Sequence, residues 1–150
     1  AGCEDPITDG VDYTQCKFSD GQDLQGSYLP NSNLSFASFI QVNLDKSIMM
    51  NSNLAFGTFS ESSFIRANLY ESTLTGANFE LSNFSSANLT RADFMGATLI
   101  DVNFQNSNLM EANFTSSNIL NANFEGANLI GATWTNGEIC GPDSIGVCNK

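Results

Sequence analysis

The side chains best suited to redox or metal chemistry in this chain are four cysteines, and all of them lie near the two ends of the sequence. They are Cys3 and Cys16 at one end and Cys140 and Cys148 at the other. Such thiols form disulfides in an oxidising compartment, stay reduced in the cytosol, or bind zinc. Zinc is the weakest of these interpretations, because the chain has no C-x-x-C motif and no histidine.

Other side chains that support catalysis are sparse. Without histidine, the most common general base is missing. No glycine-rich phosphate-binding loop is present, and carboxylates such as Glu61, Glu71, Asp93 and Glu111 are scattered along the chain. The sequence therefore predicts a protein that is not an enzyme and that has no catalytic residues, no cofactor and no resident metal.

Acidic residues outnumber basic ones by sixteen to five, which gives a formal net charge of −11. This charge repels phosphates, so direct binding to nucleic acid is not expected. Asp9, Asp12, Asp20 and Asp23 lie close together near the start of the chain and offer oxygen ligands for calcium. Their spacing does not match the calcium-binding loop of an EF-hand, which favours a solvated acidic cap instead.

The element that positions these residues is a repeat of five residues between Leu24 and Ile139. Every fifth residue is large and apolar, the residue two places before it is usually small, and the residue between them is usually polar. On a helix, at about 100° per residue, a five-residue period cannot keep one apolar face. The small, polar and large residues instead alternate inward, outward and inward as in a strand, and the other two residues form a turn.

The type of large residue, aromatic or aliphatic, agrees best between repeats that are four apart along the chain. Twenty residues therefore make one coil of a parallel β-solenoid, in which each coil packs on the next. The repeats make about six coils, which at ~4.8 Å per coil gives a rod about 30 Å long. The asparagines that precede the large residues, among them Asn68, Asn88, Asn108 and Asn128, are expected to form polar ladders along the wall.

Stretches such as Ala87–Arg91, Ala112–Ser116 and Ala127–Gly131 resemble the A(N/D)LXX unit of the pentapeptide-repeat proteins. The resemblance covers about residues 22 to 141. It implies an all-β fold, a right-handed quadrilateral parallel β-helix, with four repeats in each coil. Few members of this family have a known role, so the resemblance indicates a shape more firmly than a function.

Both ends depart from the repeat and are expected to cap the solenoid. Tyr13 and Phe18 fit the repeat one residue out of phase, and an extra residue at Gly21 would restore the register. We predict a single domain over residues 1–150, with an N-terminal cap at 1–21, repeats at 22–139 and a disulfide cap at 140–150. Caps cover the strand edges and apolar side chains that a terminal coil would expose.

The predicted rod limits how the cysteines can pair, because thiols at its two ends cannot reach one another. Pairing within each cap, Cys3 with Cys16 and Cys140 with Cys148, is favoured over four reduced thiols. Such pairs predict an extracytoplasmic location: periplasm, lumen or secreted. The sequence has no run of about eighteen apolar residues, so no membrane span is expected. It also opens without the charged and apolar regions of a secretion signal, so such a signal was removed or never present.

Apolar residues at outward positions of the repeat are the remaining candidate surface. They are Tyr70, Met110, Ile130, Ile100, Leu120, Phe36 and Phe56. They favour either a contact surface for a protein partner or a second copy, or turns that simply tolerate apolar side chains. We predict an extracytoplasmic structural or protein-interaction module. The resemblance implies one alternative, an acidic mimic of DNA that binds a DNA topoisomerase (gyrase) in the cytosol.

Overall fold

The repeat region is a stack of coils joined by parallel β-bridges. The structure is a computed structural model that describes residues 2–150. Across these residues there is no helix, and each pentapeptide contributes one bridging residue rather than a longer strand. No helix of residues 2–150 therefore has the length and hydropathy needed to span a bilayer. The fold is a β-helix, in which the bridges connect successive coils.

The bridges form four ladders, which we number in chain order. Ladder 1 consists of Asp12, Asn33, Asn53, Thr73, Asp93, Asn113 and Thr133. Ladder 2 consists of Lys17, Ser38, Thr58, Asn78, Thr98 and Asn118. Ladder 3 consists of Asp23, Asn43, Ser63, Asn83, Asn103 and Asn123. Ladder 4 consists of Tyr28, Ile48, Asn68, Asn88, Asn108 and Asn128.

Within the ladders, successive bridging residues from Asp23 onward are twenty positions apart, which is the period that the types of large residue predict. The first bridges of ladders 1 and 2 instead span twenty-one positions, Asp12 to Asn33 and Lys17 to Ser38. The N-terminal phase shift is therefore real, but Gly21 is not the extra residue. Gly21 takes the usual left-handed place in its turn, and Ser19 is inserted before that turn.

Each turn has two residues, and the second adopts a left-handed conformation with φ near +60°, as at Lys46 and Arg66. The asparagine that precedes the large residue stabilises this turn. Asn88 Oδ1, for example, accepts a hydrogen bond from the Thr90 N–H at 3.2 Å, and Asn68 Oδ1 accepts one from the Tyr70 N–H at 3.1 Å. The predicted stacks of Asn68, Asn88, Asn108 and Asn128 are present in ladder 4, but their side-chain oxygens bind the backbone of their own turns.

The core is filled by the large residues, which stack on one another from coil to coil. Phe84 is fully buried, and its ring stacks on Phe64 at 4.6 Å and on Phe104 at 5.5 Å between centroids. The small residues bring the walls close to this stack. Ser52 Oγ donates to the Leu29 carbonyl at 2.7 Å, whereas the buried Ser47 Oγ has no hydrogen-bond partner among residues 2–150.

The C-terminal end leaves the repeat earlier than predicted. After Trp134 the chain turns at Gly137, and Ile139 pairs antiparallel with Thr133 instead of entering the core. Ile139 is therefore 57% exposed, and the prediction that it is a buried core position is wrong. The chain then runs back over the last coil, where Ile145 forms an antiparallel bridge with ladder 4.

Candidate functional site

The four cysteines lie in two pairs, one at each end of the β-helix. The sulphur atoms of Cys3 and Cys16 are 2.04 Å apart, and those of Cys140 and Cys148 are also 2.04 Å apart. Tyr13 anchors the N-terminal segment, because its hydroxyl donates a hydrogen bond to the Asp5 carbonyl at 2.6 Å. Burial, together with the Asp5 carboxylate, raises the pKa of Tyr13 above its ordinary value of 10.0.

The N-terminal carboxylates serve separate local contacts and do not converge. Asp12 Oδ1 accepts hydrogen bonds from the hydroxyl and the N–H of Thr14, which lower the pKa of Asp12. Asp9 Oδ1 accepts from Asn31 Nδ2 at 3.1 Å. Within residues 2–150, no group of three or more Asp, Glu, His or Cys side chains is arranged to hold a metal ion.

The interior of the coils is densely packed. The large side chains fill it, and the part of the chain that the structure describes has no pocket. Candidate functional surfaces therefore lie on the outside of the coils, where the two-residue turns project their side chains.

The structure places the seven outward apolar residues in three different sets of turns. Phe36 and Phe56 lie between ladders 1 and 2, and Ile100 and Leu120 lie between ladders 2 and 3. The other three, Tyr70, Met110 and Ile130, lie between ladders 4 and 1. The seven residues therefore do not form a single surface, but four of them border ladder 2.

Phe36 and Phe56 are 57% and 55% exposed, and their rings stack on each other at 5.4 Å between centroids. The ring of Phe56 extends over the turn of the next coil, in which Gly76 occupies the place of Phe56. A Cβ atom on Gly76 would lie only 2.6 Å from a carbon of the Phe56 ring. Gly76 also has a φ of +66°, so two features of its place favour glycine.

Two further apolar residues, not predicted from the sequence, border the same ladder. Met95 lies between ladders 1 and 2 and is 43% exposed, and Leu81 lies between ladders 2 and 3 and is 55% exposed. Leu81 is a second turn residue, a place that the sequence analysis considered only for the two phenylalanines. A systematic reading of both turn residues would have found it.

We define the ladder 2 face as the outward residues of ladder 2 together with the turns on both sides. Its apolar members are Phe36, Phe56 and Met95 on one rim and Ile40, Leu81, Ile100 and Leu120 on the other. Between the rims lie small polar side chains, which are half-buried from Ser38 to Thr98 and exposed at Asn118. The face is thus a shallow strip with apolar borders.

Acidic residues interrupt the second rim of the ladder 2 face. They are Glu61, Glu80 and Asp101, and Glu61 Oε2 accepts a hydrogen bond from Gln41 Nε2 at 3.0 Å. The cation on this ladder is Lys17, at its N-terminal end. Arg91 lies instead beside ladder 4, where Glu111, 3.6 Å from it, raises its pKa.

Comparison with known proteins places the repeat in a described family. A family model of pentapeptide repeats matches in eight copies, over residues 23–55, 62–99, 77–115, 92–129 and 107–135. These ranges cover more than half of the chain. No curated protein sequence matches the chain.

Solved structures of pentapeptide-repeat proteins are similar to this one. A trypsin-treated form of QnrB1, a plasmid-mediated fluoroquinolone resistance protein, is 19% identical with a TM-score of 0.70, covering 83% of this chain and 72% of its own. Full-length QnrB1 is 17% identical with a TM-score of 0.55, covering 83% and 75%. Rfr23 from the cyanobacterium Cyanothece 51142 is 22% identical with a TM-score of 0.47, covering 84% and 89%. At these identities the similarity to QnrB1 concerns the fold alone.

Proposed function

The chain belongs to the pentapeptide-repeat family, and on this premise we propose that it is a non-enzymatic protein-interaction module that works outside the cytoplasm. The observation that carries the proposal is the exposed aromatic pair Phe36 and Phe56, which stacks outside the core. Exposed apolar side chains that are grouped on a rigid surface are typical of contact sites for other proteins.

For the molecule as a whole we propose a right-handed quadrilateral β-helix of about six coils, forming one domain over residues 1–150. The four ladders and their twenty-residue spacing support this form. We also propose caps at 1–21 and 140–150, of which Ala1 lies outside the described residues. Each cap contains one cysteine pair, and the departure from the repeat after Trp134 moves the start of the C-terminal cap ahead of residue 140.

The extracytoplasmic location rests on the two cysteine pairs, because disulfides persist in oxidising compartments. It is tested by measuring the mass of the unreduced protein, isolated from the cells that make it, before and after alkylation under denaturing conditions. We expect no alkylated thiol. Four alkylated thiols would contradict the location.

A second candidate function is an acidic mimic of DNA that binds a DNA topoisomerase in the cytosol. The net charge of −11 supports it, since such a mimic must present a negative surface. Inhibition of DNA supercoiling by gyrase is the direct assay. Inhibition at a low ratio of protein to enzyme would favour this function over the first one.

The interaction module is tested by photo-crosslinking in the cells that produce the protein. A benzoylphenylalanine replaces Phe56, and a control protein carries it at Asn51, which occupies the same place in a turn between ladders 4 and 1. We expect a discrete protein adduct from position 56 and none from position 51. Absence of an adduct at position 56, or equal adducts at both positions, would contradict the proposal.

A further inference from the structure

We propose that the ladder 2 face binds a cationic amphipathic helix of a partner protein. This inference rests on the proposed function and names the kind of partner. It starts from the apolar rims, on which Phe36, Phe56, Leu81 and Leu120 are each more than half exposed. These side chains stand on opposite sides of a strip of small polar residues, so a partner can contact both rims at once.

The dimensions of the face suit a helix of three to four turns. Phe36 and Leu120 flank bridges that are four coils apart, Ser38 and Asn118, which corresponds to about 19 Å along the rod. A helix of about 13 residues has this length. Across the face, Ile40 lies four positions after Phe36, a distance of at most about 13 Å. This width accommodates a helix about 10 Å in diameter.

The floor of the face permits a close approach. Ser38, Thr58 and Thr98 are short and half-buried. On the first rim the Phe56 ring extends over Gly76, and the next turn carries Met95, which is less exposed than the two phenylalanines. The high part of that rim, formed by the two phenylalanines, lies in the N-terminal half. Leu81 and Leu120 follow on the opposite rim, so the four apolar side chains that are more than half exposed run diagonally across the face.

The charges of the face select the sign of the partner. Glu61, Glu80 and Asp101 alternate with the apolar residues of the second rim, and the chain as a whole carries a charge of −11. Lysine and arginine residues beside the apolar stripe of a helix would meet these carboxylates, which increases both the rate and the selectivity of association. A second copy of the chain is a poorer fit, because it carries the same three carboxylates and the same net charge.

Binding is tested with the full chain and two synthetic peptides of 14 residues. One consists of leucine and lysine with an amphipathic helical pattern, and the other has glutamate in place of lysine. Fluorescence anisotropy of labelled peptide gives the dissociation constant at low and high salt. We expect binding of the lysine peptide, weaker at high salt, and no binding of the glutamate peptide.

Variants locate the binding site. Phe36→Ser with Phe56→Ser removes one rim, and Leu81→Ser with Leu120→Ser removes the exposed leucines of the other. Each pair is expected to weaken binding at least about fivefold, since truncation of central apolar contacts costs more than 1 kcal/mol. The matched control is a third pair, Met110→Ser with Ile130→Ser, between ladders 4 and 1. It is expected to leave binding unchanged.

Absence of binding by the lysine peptide would overturn the inference, as would equal weakening by the control pair or no weakening by the rim pairs. Thermal unfolding of each variant verifies that the fold is retained. The crosslink at Phe56 separates the two proposals. An adduct at position 56 without peptide binding refutes the cationic helix and leaves the interaction module standing, whereas failure of both experiments refutes both.

Discussion

The inward and outward places of the repeat are tested most directly by truncating one phenylalanine of each kind. Phe84 is fully buried between the rings of Phe64 and Phe104, whereas Phe36 is 57% exposed and stacks on a single ring. Phe84→Ala and Phe36→Ala remove the same atoms from the same type of residue. Their effects on the free energy of unfolding therefore differ only through their surroundings.

The magnitudes follow from burial. A buried phenylalanine side chain removes about 200 Å² from water, which at about 25 cal/mol per Å² gives about 5 kcal/mol. Alanine retains part of this burial energy, but the stacked rings above and below hold the cavity open. Phe84→Ala should therefore lower the free energy of unfolding by about 4 kcal/mol. Phe36→Ala leaves no cavity and loses one exposed aromatic contact, so it should cost less than about 1 kcal/mol.

Urea denaturation of the disulfide-bonded protein provides the measurement. Far-UV circular dichroism reports on all coils, and the fluorescence of Trp134, the single tryptophan, reports on the C-terminal end. Coincidence of the two transitions establishes that one free energy describes the unfolding. Equal losses from both variants, or a larger loss from Phe36→Ala, would refute the assignment of inward and outward places.

Three further predictions concern single groups. The pKa of Tyr13 is raised in the folded protein, so as the pH rises above about 10 the unfolded chain loses this proton before the folded chain does, and the free energy of unfolding falls. Tyr13→Phe removes the proton and should abolish this fall. A pH series of denaturation curves measures the effect, and an unchanged slope in the variant would contradict it. Ser47→Ala should raise the free energy of unfolding by about 1 kcal/mol, because it removes a buried hydroxyl without a partner, whereas Ser52→Ala should lower it by a similar amount. The same sign for both serines would argue against this. Replacing both Cys140 and Cys148 by serine should lower the free energy of unfolding by about 2.5 kcal/mol, because the bridge closes a loop of eight positions. A thermal unfolding curve that matches that of the unmodified protein would disprove this.

The repeat itself could be read from the sequence because each place in it has a strong physical requirement. A residue such as Leu89 must be large to fill the coil, and Ala87 must be small to let the wall approach. The same requirement recurs every five residues, and the bridges follow the twenty-residue period of the large residues. The signal is therefore far stronger than that of any single strand.

The sequence is less informative where a side chain is fixed by a local contact, or where no neighbouring coil fixes it at all. The spacing of asparagines such as Asn88 predicts that they stack, which they do, but it does not show that the side-chain oxygen binds the N–H two residues ahead. Ile139 fits the repeat in spacing alone. After Trp134 no further coil follows to cover that place, so the chain turns back and exposes the isoleucine.

The candidate surface was only partly predictable for a related reason. An outward residue is not constrained by the core, so its type does not reveal which neighbours accompany it. Only the order of the ladders shows that Phe56 and Leu120 border the same face while Met110 does not. Leu81 is the second residue of its turn, with a φ of +63°, a place at which the sequence analysis considered only Phe36 and Phe56.

The direction of the hydrogen bonds between coils has a mechanical consequence. Each bond, such as that from the Phe84 N–H to the Asn103 carbonyl, connects one coil to the next and so lies nearly along the rod. Tension applied to the two ends loads these layers in series, so every layer carries the same force and the weakest one opens first. Each coil that peels releases twenty residues, or about 65–70 Å of chain. Pulling on the two ends is therefore expected to lengthen the molecule in steps of one coil.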